Sequence, residues 1–544
     1  MGVRALNKTL QLFCVVGLAC ASAPLLAEDR FAAALTVLAE GNFQAKYEAV
    51  ADIEASTVPH AEAVLAALLA GDLCVRRNDG AVVMARETAT GLAMVDALTG
   101  ASLDSTDNAA LKKIIINNKL RGRLRDALAR IALAAAEPER RLAAVESLFG
   151  RRDDETLALL QAAAAREKAA QVKAALAAAI ALIELESPEP ATRLAAVEGV
   201  AGNMRSEVRN RLAALLEVDA EGRPKEADAE VRAAAAAALE RIDRRRTWYG
   251  VIETTFFGLS LGFVLVLAAT GLAITFGVMG VINMAHGELI MLGAYTTWVV
   301  QQAMPNHLEW SMAAAIPAAF LVAALVGIAI ERGVVRFLYG RPLETLLATF
   351  GLSLILQQAV RTIFSPLNRS VTTPQWMSGQ LIVNDALAFT ANRFYIILFS
   401  IMVLAALGAI LRYTTLGLQV RAVAQNRPMA RAMGVRAGWV DAMTFGLGAG
   451  VAGLAGVVLS QLTNVGPNLG QAYIVDSFMV VVFGGVGNLW GTLVGGLSLG
   501  IANKFLEPYA GAVLAKIFIL VFIILFIQKR PRGLFPQRGR AAEA

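Results

Sequence analysis

Asn283, His286 and Glu288 can each donate or accept a hydrogen bond, and two of them can carry a proton, yet all three lie in an apolar stretch. The stretch reads Phe276-Gly-Val-Met-Gly280-Val-Ile-Asn283-Met-Ala-His286-Gly287-Glu288. An ionisable side chain among apolar neighbours is costly and marks a functional position by default. A second stretch has the same character: Phe483-Gly484-Gly485-Val-Gly487-Asn488-Leu-Trp-Gly-Thr492 also opens Phe-Gly and mixes glycines with polar groups. Unwound backbone at membrane depth is tolerated only where protein or a watery cavity surrounds it. Paired interruptions of this kind point to a path for a polar solute. Asn283, His286, Glu288, Asn488 and Thr492 are therefore pathway candidates, with Gly280, Gly287, Gly484, Gly485 and Gly487 shaping the path. The structural alternative is that His286 and Glu288 satisfy each other or the freed backbone and so hold the bend. A metal hydrolase is poorly supported, because His307 is the one further histidine in this half. No metal, cofactor or catalytic residue is expected.

Another kind of chemistry is offered by Arg421-Ala422-Val-Ala424-Gln-Asn-Arg-Pro-Met-Ala-Arg431-Ala-Met-Gly434. A short amphipathic helix ended by glycine, basic on one side and small on the other, suits a groove in a partner. Arg421, Ala422, Ala424, Arg431 and Gly434 would make that contact. The alternative is a loop helix resting on anionic lipid.

These stretches must be positioned by long apolar segments. Of the 544 residues, 56% are hydrophobic, and the excess is concentrated after Val251. Eight apolar segments can be counted there: 253–276, 281–301, 311–331, 345–364, 393–411, 442–463, a glycine-broken 474–503, and 513–528. Basic residues fill 332–344 and 412–441, whereas 301–310 and 464–473 contain no Lys or Arg. That asymmetry places the basic loops and the tail 536–544 in the cytoplasm. An odd number of crossings follows, so 474–503 is re-entrant or split in two. The net charge of +6 does not imply nucleic acid, since the arginines either alternate with glutamates or sit between spans.

Residues 1–27 show a basic start, a short apolar run and small residues, the pattern of a cleaved secretory signal. Residues 28–247 would then be periplasmic. Of the three cysteines only Cys74 lies in that part, so no disulfide framework is possible. Within it, Glu137-Pro-Glu-Arg-Arg-Leu-Ala-Ala-Val-Glu146 returns as Glu189-Pro-Ala-Thr-Arg-Leu-Ala-Ala-Val-Glu198. Val172-Lys-Ala-Ala-Leu-Ala-Ala-Ala-Ile180 likewise returns as Val231-Arg-Ala-Ala-Ala-Ala-Ala-Ala-Leu239. Interleaved helix repeats resemble a short HEAT-like solenoid. The fold expected is all-α: a HEAT-like domain ahead of a polytopic helical membrane domain over 248–535 in the inner membrane.

Gly280 to Glu288, the Arg421 to Gly434 loop and Phe483-Gly-Gly-Val-Gly487 resemble the permeases of branched-chain amino-acid ABC importers over roughly 250–535. Leu343 to Gln358 and Asp476 to Thr492 are most similar to the urea branch of that family. The resemblance implies a second permease subunit, two cytoplasmic ATPase subunits, a periplasmic urea-binding protein and a surrounding lipid bilayer. This chain has no Gly-x-x-x-x-Gly-Lys-Ser/Thr phosphate loop, so ATP hydrolysis would fall to those separate subunits. A branched-chain amino acid or short-chain amide is the alternative substrate. A passive urea channel would need no docking loop, and a membrane-anchored receptor would need fewer apolar segments.

Overall fold

The computed structural model describes residues 29–535 apart from 57, 89–90, 104–110 and 385. The expected signal and the tail 536–544 lie outside the described residues. The chain divides into two compact units between Asp243 and Arg244.

The first unit opens with helices α1 (29–40), α2 (Phe43–Glu54) and α3 (Ala61–Ala70). It then departs from the all-α expectation. Strands β1 (Leu73–Arg76), β2 (Val82–Thr88), β3 (Gly91–Asp96), β4 (Ser102–Leu103) and β5 (Leu111–Lys113) form an antiparallel sheet in the order β4-β3-β2-β1-β5. Its turns are locally determined. Gly80 and Gly100 adopt φ of +73° and +70°, which a side chain would resist. Asp79 and Asp96 close the same turns by accepting backbone N–H groups of Ala81 and of Leu98 and Thr99. A core of Phe31, Leu38, Ile53, Leu65, Leu73 and Leu124 joins sheet to helices.

Helices α4 (Asn118–Leu133), α5 (Pro138–Leu148), α6 (Asp154–Arg166), α7 (Ala170–Glu184), α8 (Pro190–Val200), α9 (Ser206–Leu215) and α10 (Ala229–Met279) follow. The sequence repeats fall on α5 and α8, and on α7 and the start of α10. The helices α6 and α9 complete each repeat. Asp153 caps α6 as its spacing suggests, accepting from Thr156 N at 2.8 Å. One polar device recurs along the array. Arg141 grips Glu167 through Nε (2.8 Å) and Nη2 (2.9 Å), and its Nη1 donates to the carbonyls of Ala135 and Ala136. Arg193 repeats this with Glu226 (2.8 and 2.7 Å) and the carbonyls of Ser187 and Pro188. Arg232 reaches the carbonyls of Glu226 and Ala227 in the same way. Each arginine thus fixes the chain entering its own helix, and in Arg141 and Arg193 the planar fork satisfies carboxylate and carbonyls together.

In the second unit, α10 is followed by α11 (His286–Ala303), α12 (Leu308–Gly333), α13 (Pro342–Phe364) and α14 (Ala391–Tyr413). Then come α15 (Thr415–Gln425), α16 (Arg427–Ala432), α17 (Ala437–Ser460), α18 (Leu469–Gly484) and α19 (Leu489–Lys529). Strands β6 (Gln380–Asn384) and β7 (Leu387–Thr390) form a hairpin before α14. Among the described residues six helices are long and apolar enough to cross a membrane: α10, α12, α13, α14, α17 and α19. The counted segment 281–301 begins later than expected, at His286. The segment 474–503 is split between α18 and α19, and α19 bends at Gly511, where φ is +76°. The core is built by α11, α12 and α17, around Leu289, Ile290, Phe445, Ala449 and Leu459. Close approach depends on missing side chains: a Cβ on Gly453 would meet the Ala319 carbonyl oxygen at 2.6 Å and the Ala323 Cβ at 2.7 Å.

Hydrogen bonds from Arg141 and from the backbone amides of Ala169 and Lys168 hold the Glu167 carboxyl down to about 2. A depressed folded-state value means that the clasp contributes fully above the ordinary carboxylate range and is lost as pH falls toward 2. The protection factors of the amides across 135–169, taken against exchange of the unfolded chain at the same pH, should therefore stay high down to about pH 5 and fall below it. Glu167→Gln is expected to show low protection throughout. In the second unit, Gly453→Val should cost about 1–3 kcal/mol by overpacking. Gly351→Ala, with open space around its Cβ, should be neutral or gain up to about 1 kcal/mol in helix propensity. Thermal unfolding of the detergent-purified chain separates the two, and equal midpoints would contradict the packing described.

Candidate functional site

Two interruptions of helix define the candidate site. The first runs over 280–285. Gly280 ends α10 with φ +66° and bonds its N–H to Phe276 O at 2.9 Å. Beyond it the chain cannot use helical hydrogen bonds, and side chains replace them. Thr349 Oγ1 accepts from Met284 N at 3.1 Å, and Asn283 Oδ1 accepts from Ala285 N at 3.0 Å. Asn283, His286 and Glu288 are all buried. His286 and Glu288 do not bond each other. The imidazole Nε2 meets Ala268 O at 2.8 Å, while Glu288 Oε1 accepts from Ser353 Oγ at 3.0 Å. Three buried atoms of this one stretch, Asn283 Nδ2, His286 Nδ1 and Glu288 Oε2, make no hydrogen bond among the described residues. Gly287 lets α11 touch α18, since a Cβ there would stand 2.5 Å from Gly470 O.

The second interruption lies between α18 and α19. Gly485 and Gly487 take φ of +105° and +77°. Asn488 and Thr492 belong to the start of α19 and not to the cluster around Glu288. Asn488 Oδ1 caps the amides of Trp490 (3.0 Å) and Gly491 (3.3 Å), and Thr492 Oγ1 donates to Asn488 O at 3.1 Å. Gly484 packs its backbone on Gly491. The last turn of α10, just before the first interruption, nevertheless touches the second, because a Cβ on Gly277 would collide with Gly487 Cα. The chain after α19 closes over the second one. Leu534 N donates to Phe483 O (2.9 Å) and Phe535 N to Gly484 O (3.1 Å), with Gly485 and Gly533 in backbone contact.

Sequence reasoning gave no role to the polar stripe on α13. Thr345, Thr349, Ser353 and Gln357 recur every fourth residue, so they share one helix face, and all four are buried. Gln357 Nε2 continues the stripe to Pro467 O (3.2 Å) and Asn468 Oδ1 (3.1 Å), and Arg361 reaches the same Oδ1 at 2.7 Å. The fourfold spacing among leucines was the available signal.

The basic loop is two helices where one was expected. Asn426 leaves helical geometry and caps α16 through Met429 N (3.0 Å), and Pro428 has no N–H to continue α15. Val420, Val423, Ala430 and Val440 form a small core against Val278 at the end of α10. Ala422 packs against that core and Ala424 is half-buried, while Arg421 is tied back to Leu411 O. Arg427 forms a forked pair with buried Asp441 and covers the Tyr339 ring at 3.8 Å. Arg431 and Gly434 remain exposed, beside exposed Met429 and Met433. Gly434, at φ +88°, closes a C-terminal cap in which Val435 N returns to Ala430 O at 3.0 Å.

Residues 254–527 match the family described as branched-chain amino acid transport system / permease component. The LivH permease protein of the high-affinity branched-chain amino acid transport system of Salmonella typhimurium is 31% identical over 293 residues, covering 52% of this chain and 94% of the relative. The BraD permease protein of Pseudomonas aeruginosa is 28% identical over 296 residues, covering 53% and 96%. The ribose import permease protein RbsC of Escherichia coli is more distant, at 24% over 286 residues, covering 50% and 82%. No solved structure matches the chain. With its helix interruptions, its loop and its apolar helices inside the matched region, the chain belongs to the branched-chain amino acid transport system permease family.

Proposed function

We propose that this chain is the membrane-spanning subunit of a binding-protein-dependent importer, driven by ATP hydrolysed on separate cytoplasmic subunits. The observation that carries this reading is the contact of Gly277, in the last turn of α10 just before the first interruption, with Gly487 in the second, beside the loop that packs on Val278. A path for solute and a surface for a motor subunit are thereby adjacent. A second permease subunit would complete the path, and the repeated arginine clasps support a HEAT-like array in the first unit.

The names of the relatives favour a branched-chain amino acid as the solute. Urea is the second reading, and one observation favours it. The buried groups around the first interruption are amides, hydroxyls, an imidazole and one carboxylate, and the nearby Arg361 is engaged by Asn468. A neutral diamide needs donors and acceptors without a counter-charge, whereas a zwitterion needs both signs nearby.

Uptake of labelled leucine and labelled urea in a deletion strain, with and without the chain restored, decides between them. Restored leucine uptake fixes the amino acid, restored urea uptake fixes urea, and restoration of neither removes the import reading for these solutes. Glu288→Gln keeps an acceptor for Ser353 and removes the charge. It should lower uptake of a zwitterion about tenfold or more and that of urea far less. For the loop, Gly434→Leu places a side chain at φ +88°, strained by about 1 kcal/mol. The cap should open, and co-purification of the ATPases should fall while the chain stays in the membrane. Wild-type co-purification would remove Gly434 from the docking surface.

A further inference from the structure

Where α12 ends and α17 begins, Arg332, Arg431 and Arg436 line one cleft of about 590 Å³ with Gly438 and Trp439. The three arginines come from different elements: the last turn of α12, the end of α16 and the residue preceding α17. Such convergence brings like charges together at a cost unless an anion neutralises them. The neighbouring carboxylates do so only in part. Asp441 is consumed by its fork with Arg427, and buried Glu331 approaches Arg332 Nε at 3.6 Å. Among the described residues neither the Arg431 nor the Arg436 side chain has a hydrogen-bond or ion-pair partner.

We propose that this cleft binds the phosphate of an anionic phospholipid. The inference rests on α12 and α17 being membrane spans and is independent of which solute is carried. The lipid source is favoured over a soluble anion by position. Arg332 stands in the last turn of one apolar helix and Trp439 in the first turn of another, the level at which headgroups and interfacial indoles sit. Trp439 is 55% exposed, and Arg332 lies over its ring at 5.8 Å, so the indole forms one wall while its outer face is open to acyl chains. Next along the chain, Arg336 covers exposed Phe337 at 4.8 Å, a second cation and aromatic pair at the same boundary. Guanidinium forks match phosphate oxygens geometrically. The first-turn amides of α17 add partial positive charge from the same side. A lipid held there would bridge α12 to the loop that docks the proposed motor subunit.

The test uses the full chain in nanodiscs of phosphatidylcholine with or without phosphatidylglycerol, the retained lipid being counted by native mass spectrometry. Wild type should keep phosphatidylglycerol selectively. The double variant Arg431→Gln, Arg436→Gln should lose about thirtyfold in apparent affinity, two arginines at a membrane surface each being worth roughly 1 kcal/mol. Arg412→Gln, another basic residue at a helix end but outside the cleft, should retain the lipid and serves as the folding and charge control. Equal retention by the double variant overturns the proposal. Displacement of the lipid by inorganic phosphate overturns the lipid source and assigns the cleft to a soluble anion. Loss of ATPase co-purification in the double variant, with lipid retention intact, overturns it in favour of a protein partner.

Discussion

Backbone that leaves the helix within hydrocarbon must find its hydrogen bonds inside the protein, and much of the second unit is arranged around meeting that need twice. At the first interruption the substitutes are side chains. Thr349 comes from a different helix and takes the Met284 amide, and Asn283 folds forward onto the Ala285 amide. At the second the substitutes are backbone. The carbonyls of Phe483 and Gly484 are taken by the amides of Leu534 and Phe535, and Asn488 caps the helix that follows. Thr349 in the polar stripe of α13 and the segment after α19 thus answer one requirement.

The first unit solves a different problem, and it does so with arginine–carboxylate pairs. Alanine-rich helices bury modest area each, so hydrophobic burial alone leaves their mutual angles loosely determined. The arginines at 141, 193 and 232 supply direction. Each satisfies two carbonyls at the entry to its own helix, and the first two add a buried or half-buried carboxylate clasp. Replacing such a fork by a hydrocarbon would keep the burial and release the angle.

The sequence made some of this legible for specific physical reasons. Both helix interruptions could be read because glycine beside a polar group is improbable in an apolar helix. The first was placed too early, since Gly277 remains helical and the chain unwinds only at Gly280, the one glycine there with positive φ. The sheet from Leu73 to Lys113 was missed although Asp79-Gly80 and Thr99-Gly100 are turn signals, because alanine, glutamate and arginine averaged over 28–247 looked helical throughout. Asn488 and Thr492 were assigned to the path by type. Their bonds to Trp490, Gly491 and the local backbone are capping interactions that the same residues would also suggest. The Arg427 to Asp441 fork and the pairing of Leu534 and Phe535 depend on tertiary contact, the latter through backbone groups that carry no side-chain signal at all.

Packing density then links the parts. Val278, packed against the loop core of Val423 and Val440, is the residue after Gly277, and Gly277 is in backbone contact with Gly487. Gly485, on the other side of that turn, packs against Gly533, and a Cβ there would stand 2.6 Å from the Phe535 carbonyl oxygen. Interiors packed to this closeness transmit displacement, because no void is available to absorb it. A movement of α15 and α16 relative to α10 would therefore be passed through the last turn of α10 to the contact of Gly277 with Gly487, where glycine backbones have the conformational freedom to accept it.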